Sequence, residues 1–167
     1  QGFNETIGQG ASAHVTVVHA GEKTNIIPDE ARASVDVRVA SQSQVAPVEA
    51  FFRSLPAHTH VPGVRLSVEG VVDRPPMESG PRTQRLWQLF ESQAAAMRLD
   101  ISSIATGGCS DGNFTAALGV PTIDGMGLVG GNAHRVDEYV ELTSVVPQIQ
   151  LIASVCKALC SDGEATA

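Results

Sequence analysis

Basic residues and cysteines are both scarce in this chain of 167 residues, and each scarcity excludes a class of protein. Lysine and arginine number 11 against 18 aspartates and glutamates, which gives a formal net charge of −7. This excess of negative charge argues against nucleic acid or an anionic membrane as the partner. Three cysteines are too few for a disulfide framework. Cys156 and Cys160 lie one helical turn apart on an apolar face, and we expect them to pack in the core.

Long apolar runs, signal peptides, internal repeats and low-complexity segments are also missing from the sequence. No run has the length that we expect of a bilayer-spanning helix, so no membrane partner is predicted. Hydrophobic residues make up 43% and charged residues 17% of the chain. This balance predicts a packed core, in one domain or in two small ones. The compartment, cytoplasmic or periplasmic, is left open.

Apolar and polar residues alternate in three short stretches of the first half. Ser12–Val18, Arg32–Val39 and Val64–Glu69 each place apolar side chains on one face, which predicts strands covered on one side only. Val45–Leu55 has helical spacing and is followed by a proline. The order strand, strand, helix, strand predicts part of a ferredoxin-like α+β domain over residues 1–74. Its apolar face must then be covered by another subunit or by further chain.

The second half, residues 75–167, begins after a proline-rich crossing and reads as part of a layered α/β domain. The chain as a whole is therefore assigned to the α/β class. The predicted elements are helix Pro81–Leu99, strand Ile101–Ala105, helix Asp111–Leu118, strand Val120–Met126 and a helix from about Thr143 to Leu159. The predicted buried seam of the last helix consists of Val145, Ile149, Ile152, Cys156 and Leu159.

The candidate site lies between Thr106 and His134. Gly107 and Gly108 allow close approach of the backbone to a ligand, and the N–H groups of the helix that follows would attract an anion. A second glycine-rich loop then delivers His134. An anion site and an imidazole, each after a short strand, indicate an active-site rim. A nucleotide-phosphate site is the weaker alternative, because no lysine follows the glycines.

Four motifs resemble one known family. They are Gly21-Glu-Lys-Thr-Asn-Ile-Ile-Pro28, Ala33-Ser-Val-Asp-Val-Arg38, Gly107-Gly-Cys-Ser-Asp111, and His134 with the run Asp137–Leu142 after it. In order and spacing the chain resembles the C-terminal part of the dizinc aminoacylase and carboxypeptidase family. This family includes glutamate carboxypeptidase, acetylornithine deacetylase and succinyl-diaminopimelate desuccinylase. The nearest resemblance is to glutamate carboxypeptidase.

The resemblance implies a zinc metallopeptidase or amidohydrolase with two bridged zinc ions and a lid domain that forms a homodimer. Its substrate would be a small N-acyl amino acid or peptide, cleaved at an amide bond next to a carboxylate-bearing residue. By position, His134 matches a metal ligand and Asn25 matches the lid amide that holds the oxyanion. Arg38 matches the arginine that binds the substrate carboxylate, and Gly107 and Gly108 match the loop lining the substrate pocket.

The sequence departs from the family because the other metal ligands and the general base belong to an N-terminal half that this sequence does not contain. One histidine does not make a zinc site, so we expect this chain alone to lose the zinc and to be inactive. Each residue also has a simpler interpretation: a surface histidine at 134, a turn residue at Asn25, and at Arg38 a solvated charge paired with Asp36 or Glu30. The alternative function is a non-catalytic dimerisation or ligand-binding module.

Overall fold

The computed structural model describes residues 3, 7–8, 10–59 and 61–164. The chain forms two compact units. The first holds the chain up to Glu78 together with Gly107–Cys109, and the second holds Ser79–Thr106 and the chain from Ser110 onward. Whether residues 1–74 and 75–167 are separate domains stays a prediction, because compactness does not show independent folding. Helices and small sheets are mixed, in agreement with the α/β class.

The first unit contains an antiparallel pair of strands, β1 (Ser12–Ala20) and β2 (Ala31–Arg38). Both strands were predicted from their alternation, and both are confirmed. The register shifts between Val15 and Val17, so that Thr16 has no opposite residue on β2. Such a bulge changes which side chains share a face. Val15 is 62% exposed, so the apolar side of this pair is not covered here.

Helix α1 (Val45–Ser54) follows a single 3-10 turn and was also predicted. The Gln44 side chain caps the preceding 3-10 turn, since its Oε1 accepts the backbone N–H of Ser41 at 3.1 Å. A small core forms on one face of this helix. Its buried members are Ile7, Ala11 and Val48, with Phe3, Val37, Val39, Phe51 and Phe52 packed against them. The rings of Phe3 and Phe51 meet edge to face at 5.2 Å.

The third predicted strand of this unit, Val64–Glu69, is wrong. The segment is not a strand, and within the described residues the only sheets are the pair β1–β2 and a short hairpin in the second unit. Alternation reports which side chains would share a face, but a strand also needs a neighbour for its backbone N–H and C=O groups. A ferredoxin-like arrangement therefore stays a prediction.

In the part of the second unit that the structure describes there are three α-helices: α2 (Pro81–Ala96), α3 (Gly112–Ala117) and α4 (Val145–Glu164). All three were predicted, with ends differing by a few residues. Two short strands, β3 (Gly130–Gly131) and β4 (Tyr139–Val140), form an antiparallel hairpin that was not predicted.

The predicted strands Ile101–Ala105 and Val120–Met126 are wrong, since neither segment is a strand in the part of the chain that the structure describes. Each nevertheless contributes an isoleucine to the core of the second unit: Ile101 and Ile123 pack against its buried residues. These two apolar segments thus reach the core of the unit without pairing as strands.

The core of the second unit lies between α2 and α4, and its position on α4 corrects the predicted seam. Its buried residues are Phe90, Ala94, Leu151 and Val155. Of the predicted seam, Ile149 is 60% exposed and Cys156 is exposed. Cys160 is exposed too, so the expected core packing of both cysteines is wrong. α4 has a polar side with Gln150, Ser154 and Lys157, but its apolar arc is wider than its buried face, so periodicity alone does not select which apolar residues are buried.

The expectation that no apolar run reaches membrane-spanning length is also wrong. Leu142–Ser161 has 20 residues and a mean hydropathy of 1.4, so by length and composition it is one helix able to cross a bilayer. This is weak evidence, because a core helix passes the same test, and Leu151 and Val155 of this helix belong to the core. The absence of a membrane partner stays a prediction.

Candidate functional site

Arg38 is the last residue of β2, and its guanidinium is held at two points. Nε donates to Oδ2 of Asp36 at 2.8 Å, and Nη1 donates to the carbonyl oxygen of Gly107 at 3.1 Å. Residues two apart on a strand share a face, which places Asp36 beside Arg38. The hydrogen bond to Asp36 and then the charge of Asp36 raise the pKa of the Arg38 guanidinium above its usual value. Arg38 is therefore a fixed cation.

Gly107 lies against this guanidinium. A Cβ at this position would come within 3.1 Å of Nη1 and 3.5 Å of Cδ of Arg38. Such a contact is tight, and the Arg38 side chain would have to shift by a few tenths of an ångström to accept it. Glycine lets the loop approach the guanidinium without this shift. The structure thus brings together two of the predicted substrate-binding residues, Arg38 and Gly107. Gly108, the third, is exposed and follows in the same loop.

Asn25 lies in the exposed loop between β1 and β2. The base of this loop is closed by Gly21, which has a left-handed φ of 66° and whose added Cβ would lie 2.9 Å from Cγ of Pro28. Only glycine meets both conditions without strain. Among the described residues no hydrogen bond links Asn25 to Arg38 or to Gly107.

His134 lies in the loop between β3 and β4, exposed and with a left-handed φ of 67°. Two neighbours hold the loop through Asp137. Nδ2 of Asn132 donates to Asp137 Oδ2 at 3.0 Å, and Nε of Arg135 donates to Asp137 Oδ1 at 2.9 Å. A positive φ is unfavourable for a residue with a side chain and persists only where its surroundings fix it. This loop therefore presents the imidazole to solvent in a defined backbone conformation.

The hairpin below His134 packs closely at its two glycines: a Cβ on Gly130 would clash with the backbone carbonyl of Tyr139, and one on Gly131 would press on the Tyr139 ring. A Cβ on Gly131 would lie 2.8 Å from Cε1 and 2.9 Å from the hydroxyl oxygen of Tyr139. The backbone N–H of Glu141 donates to the carbonyl of Val129 at 2.8 Å and extends the pairing. This hairpin was not predicted, because its two glycines lie in β3 and not at a tight turn, so the usual sequence signal of a short hairpin is missing.

At the start of α3, where an anion site was predicted, two backbone N–H groups are already bonded, and the anion site itself stays a prediction. The N–H of Gly112 donates to Oγ of Ser110 at 3.1 Å, and the N–H of Ser110 donates to Oδ1 of Asn113 at 2.9 Å. Asn113 is buried and was overlooked. An asparagine three residues after a serine at a helix start was the available signal, since such side chains accept local backbone hydrogen bonds.

A zinc site needs three or four protein ligands, and the described residues do not supply them. Within this part of the chain no group of three or more histidine, cysteine, aspartate or glutamate side chains is placed to hold a metal ion. His134 is thus a single candidate ligand. The residues described here do not by themselves fit a zinc site.

Comparison with known proteins gives one family and two relatives. The model of peptidase family M20/M25/M40 matches residues 3–158. A succinyl-diaminopimelate desuccinylase of Gluconacetobacter diazotrophicus is 29% identical over 151 residues, which cover 89% of this chain and 37% of the relative. A protein of the same name from Acidiphilium cryptum is 32% identical over 137 residues, covering 81% of this chain and 35% of the relative. The chain therefore spans little more than a third of the length of these relatives.

Proposed function

This chain belongs to peptidase family M20/M25/M40, and from that premise we propose that it is part of a metal-dependent hydrolase cleaving an amide bond next to a carboxylate-bearing residue. The resemblance carried by the four motifs is confirmed at the level of the family. The observation that supports the carboxylate preference most directly is the placement of Arg38 against Gly107.

Arg38 suits a carboxylate ligand because its charge is permanent and its fork of N–H groups matches the two oxygens. Two of its five N–H groups are used within the described residues, by Asp36 and by Gly107. The remaining three include a neighbouring pair on Nη1 and Nη2. The exposed setting of this pair leaves it open to a substrate of small size.

The substrate class that we propose is a small N-acyl amino acid or peptide with a free carboxylate, as in glutamate carboxypeptidase. The two relatives carry a name that describes removal of a succinyl group from diaminopimelate. Both substrate types end in carboxylates, so Arg38 has a role in either. Turnover of N-acyl-glutamates against succinyl-diaminopimelate distinguishes the two specificities.

Asn25 and His134 complete the proposal. Asn25, on an exposed loop, would donate a hydrogen bond to the oxyanion that forms when the amide carbonyl is attacked. His134 would supply one ligand of a two-zinc centre, and its partners would come from polypeptide beyond this chain. We therefore propose that the isolated chain is inactive and retains no zinc. The complete protein would be a homodimer through the unit that contains β1 and β2.

The test is steady-state kinetics on the full-length protein with N-acyl-glutamates and succinyl-diaminopimelate. Arg38→Ala should raise KM for carboxylate substrates about tenfold or more, since it removes a charge-assisted bidentate contact. Arg53→Ala is the matched control. Arg53 forms an exposed ion pair with Glu49, with 2.8 Å between the two charged groups, and neither residue belongs to the candidate site. No turnover of any carboxylate-bearing amide, or an unchanged KM in Arg38→Ala, would contradict the proposal.

A second candidate, a non-catalytic dimerisation module, is favoured by the apolar surface of the β1–β2 pair. Val15, Val18 and Ile27 are 62%, 64% and 93% exposed. Surfaces of this kind mark association sites. Sedimentation together with zinc analysis separates the two candidates: a dimeric full-length protein with neither zinc nor hydrolytic activity would favour the module.

A further inference from the structure

The two partners of Arg38 come from distant parts of the sequence but meet one guanidinium. Asp36 lies two residues before it on β2, whereas Gly107 is 69 residues away in the chain. We propose that Asp36 and Gly107 are positioning residues, which turn the Nη1–Nη2 edge of Arg38 toward the substrate carboxylate. This inference rests on the proposed function, because it takes Arg38 to be the carboxylate ligand.

The geometry leaves one edge of the guanidinium for a second carboxylate. A carboxylate binds arginine bidentately through Nε and Nη2 or through Nη1 and Nη2. Asp36 takes the Nε–H at 2.8 Å and so blocks the first edge. Gly107 takes one N–H of Nη1 at 3.1 Å. The second edge keeps one N–H on Nη1 and one on Nη2, so only one bidentate orientation of the substrate remains.

Stability does not account for the Asp36–Arg38 pair. The side chains are 43% and 54% exposed, and exposed ion pairs contribute little to folding. A second negative charge beside the binding edge also opposes a substrate carboxylate through space. Asp36 therefore helps binding only by fixing the direction of Arg38, and its acceptor oxygen matters more than its charge.

Gly107 acts from the opposite side of the guanidinium. Every atom within 4 Å of a Cβ added at this position belongs to Arg38. A methyl group here would push against Nη1 and move the guanidinium, while meeting nothing else nearby. Glycine at this position thus allows the loop to approach Arg38 without displacing the guanidinium.

The experiment compares two substrates that differ only in a terminal carboxylate or carboxamide, with the full-length protein. The quantity measured is the ratio of their kcat/KM values. Asp36→Ala should lower this ratio about tenfold, because one charge-assisted hydrogen bond no longer directs Arg38. Asp36→Asn keeps an acceptor oxygen for Nε and should hold the ratio within about twofold of the parent protein.

Two matched controls separate positioning from general damage. Glu30 and Arg32 form the same pair at the other end of β2, with the same spacing and a 2.8 Å contact to Nε, so Glu30→Ala should leave the ratio unchanged. Gly107→Ala should lower the ratio, whereas Gly127→Ala should not. Nothing lies within 4 Å of a Cβ at Gly127, and its φ is outside the left-handed region.

The outcomes distinguish this inference from the proposed function. If Arg38→Ala leaves the ratio unchanged, the proposed function fails. If Arg38→Ala abolishes the preference for the carboxylate and Asp36→Ala does not alter it, only the positioning inference is overturned. The positioning inference is also overturned if Asp36→Ala lowers kcat/KM equally for both substrates. It is overturned as well if Asp36→Asn lowers the ratio as much as Asp36→Ala does. Should Asp36→Ala not fold, Asp36→Asn and Gly107→Ala still decide the question.

Discussion

Replacing Leu151 by alanine tests where the core of the second unit lies. Leu151 has no exposed surface and belongs to the cluster with Phe90, Ala94 and Val155. Removing a fully buried leucine side chain leaves a cavity and costs about 3 to 5 kcal/mol. The comparison variant is Ile149→Ala on the same helix, because Ile149 is 60% exposed although its spacing placed it in the predicted seam. We expect a cost of about 1 kcal/mol or less there.

The assay is urea and thermal unfolding of the 167-residue chain, followed by far-ultraviolet circular dichroism. For a chain of this size 1 kcal/mol corresponds to a change in Tm of about 2–4 °C, so Leu151→Ala should lower Tm by about 6 °C or more. The urea m-value should stay constant, which shows that stability and not the unfolded state has changed. A cost for Ile149→Ala equal to that of Leu151→Ala would refute the assignment of the buried face.

Two further substitutions test the loops that carry the candidate residues. Asn25→Ala in the full-length protein should lower kcat by about 10²–10³ through loss of an oxyanion donor, while the zinc content stays unchanged. Turnover and metal content measured on the same sample check this. Unchanged turnover would remove Asn25 from the site. Gly131→Ala should displace the Tyr139 ring, because the added Cβ would lie 2.8 Å from it, and so disturb the loop of His134. Near-ultraviolet circular dichroism or tyrosine NMR signals measure that change, and Gly127→Ala should give the unperturbed spectrum.

Local patterns predicted the helices and the β1–β2 pair well, for identifiable reasons. Pro81 suits the first turn of α2, because it lacks only an N–H that a helix start leaves unbonded. β1 and β2 pair in an antiparallel register in which Val15 lies opposite Val35 and Ala20 lies opposite Ala31. In both cases the determining interactions lie within one element or between neighbours in sequence.

The wrong predictions concern elements whose structure depends on other parts of the chain. Val64–Glu69, Ile101–Ala105 and Val120–Met126 have strand-like patterns, yet a strand exists only when another strand accepts its hydrogen bonds, and sequence alternation is silent on that partner. The buried face of α4 was missed because the apolar arc of that helix is wider than the face that becomes buried. Which side becomes core is decided by α2, a separate element, through Phe90 and Ala94.

In the candidate site, too, a contact between sequence neighbours was predictable, whereas a contact between residues far apart in the sequence was not. The motif around Arg38 singled out the arginine, and pairing with Asp36 was a foreseeable local alternative that the structure contains. The contact with Gly107 joins residues far apart in sequence and followed from no periodicity. Asn113 and the hairpin of Gly131 and Tyr139 were overlooked, since their importance depends on close packing that only coordinates reveal.

The two contacts of Arg38 contribute little to the stability of the fold. An exposed ion pair two residues apart contributes about 0–1 kcal/mol, and glycine in the loop at 107 adds conformational entropy to the unfolded chain that alanine would remove. Neither feature favours stability, yet both act on one guanidinium, from β2 and from a loop 69 residues away. An ordinary solvated arginine needs neither of them. Under the proposed function, both contacts serve to present a single edge of the Arg38 guanidinium to a substrate carboxylate. The ion pair with Asp36 is then compatible with the simple interpretation of Arg38 as a paired surface charge and with the proposed one as a substrate ligand.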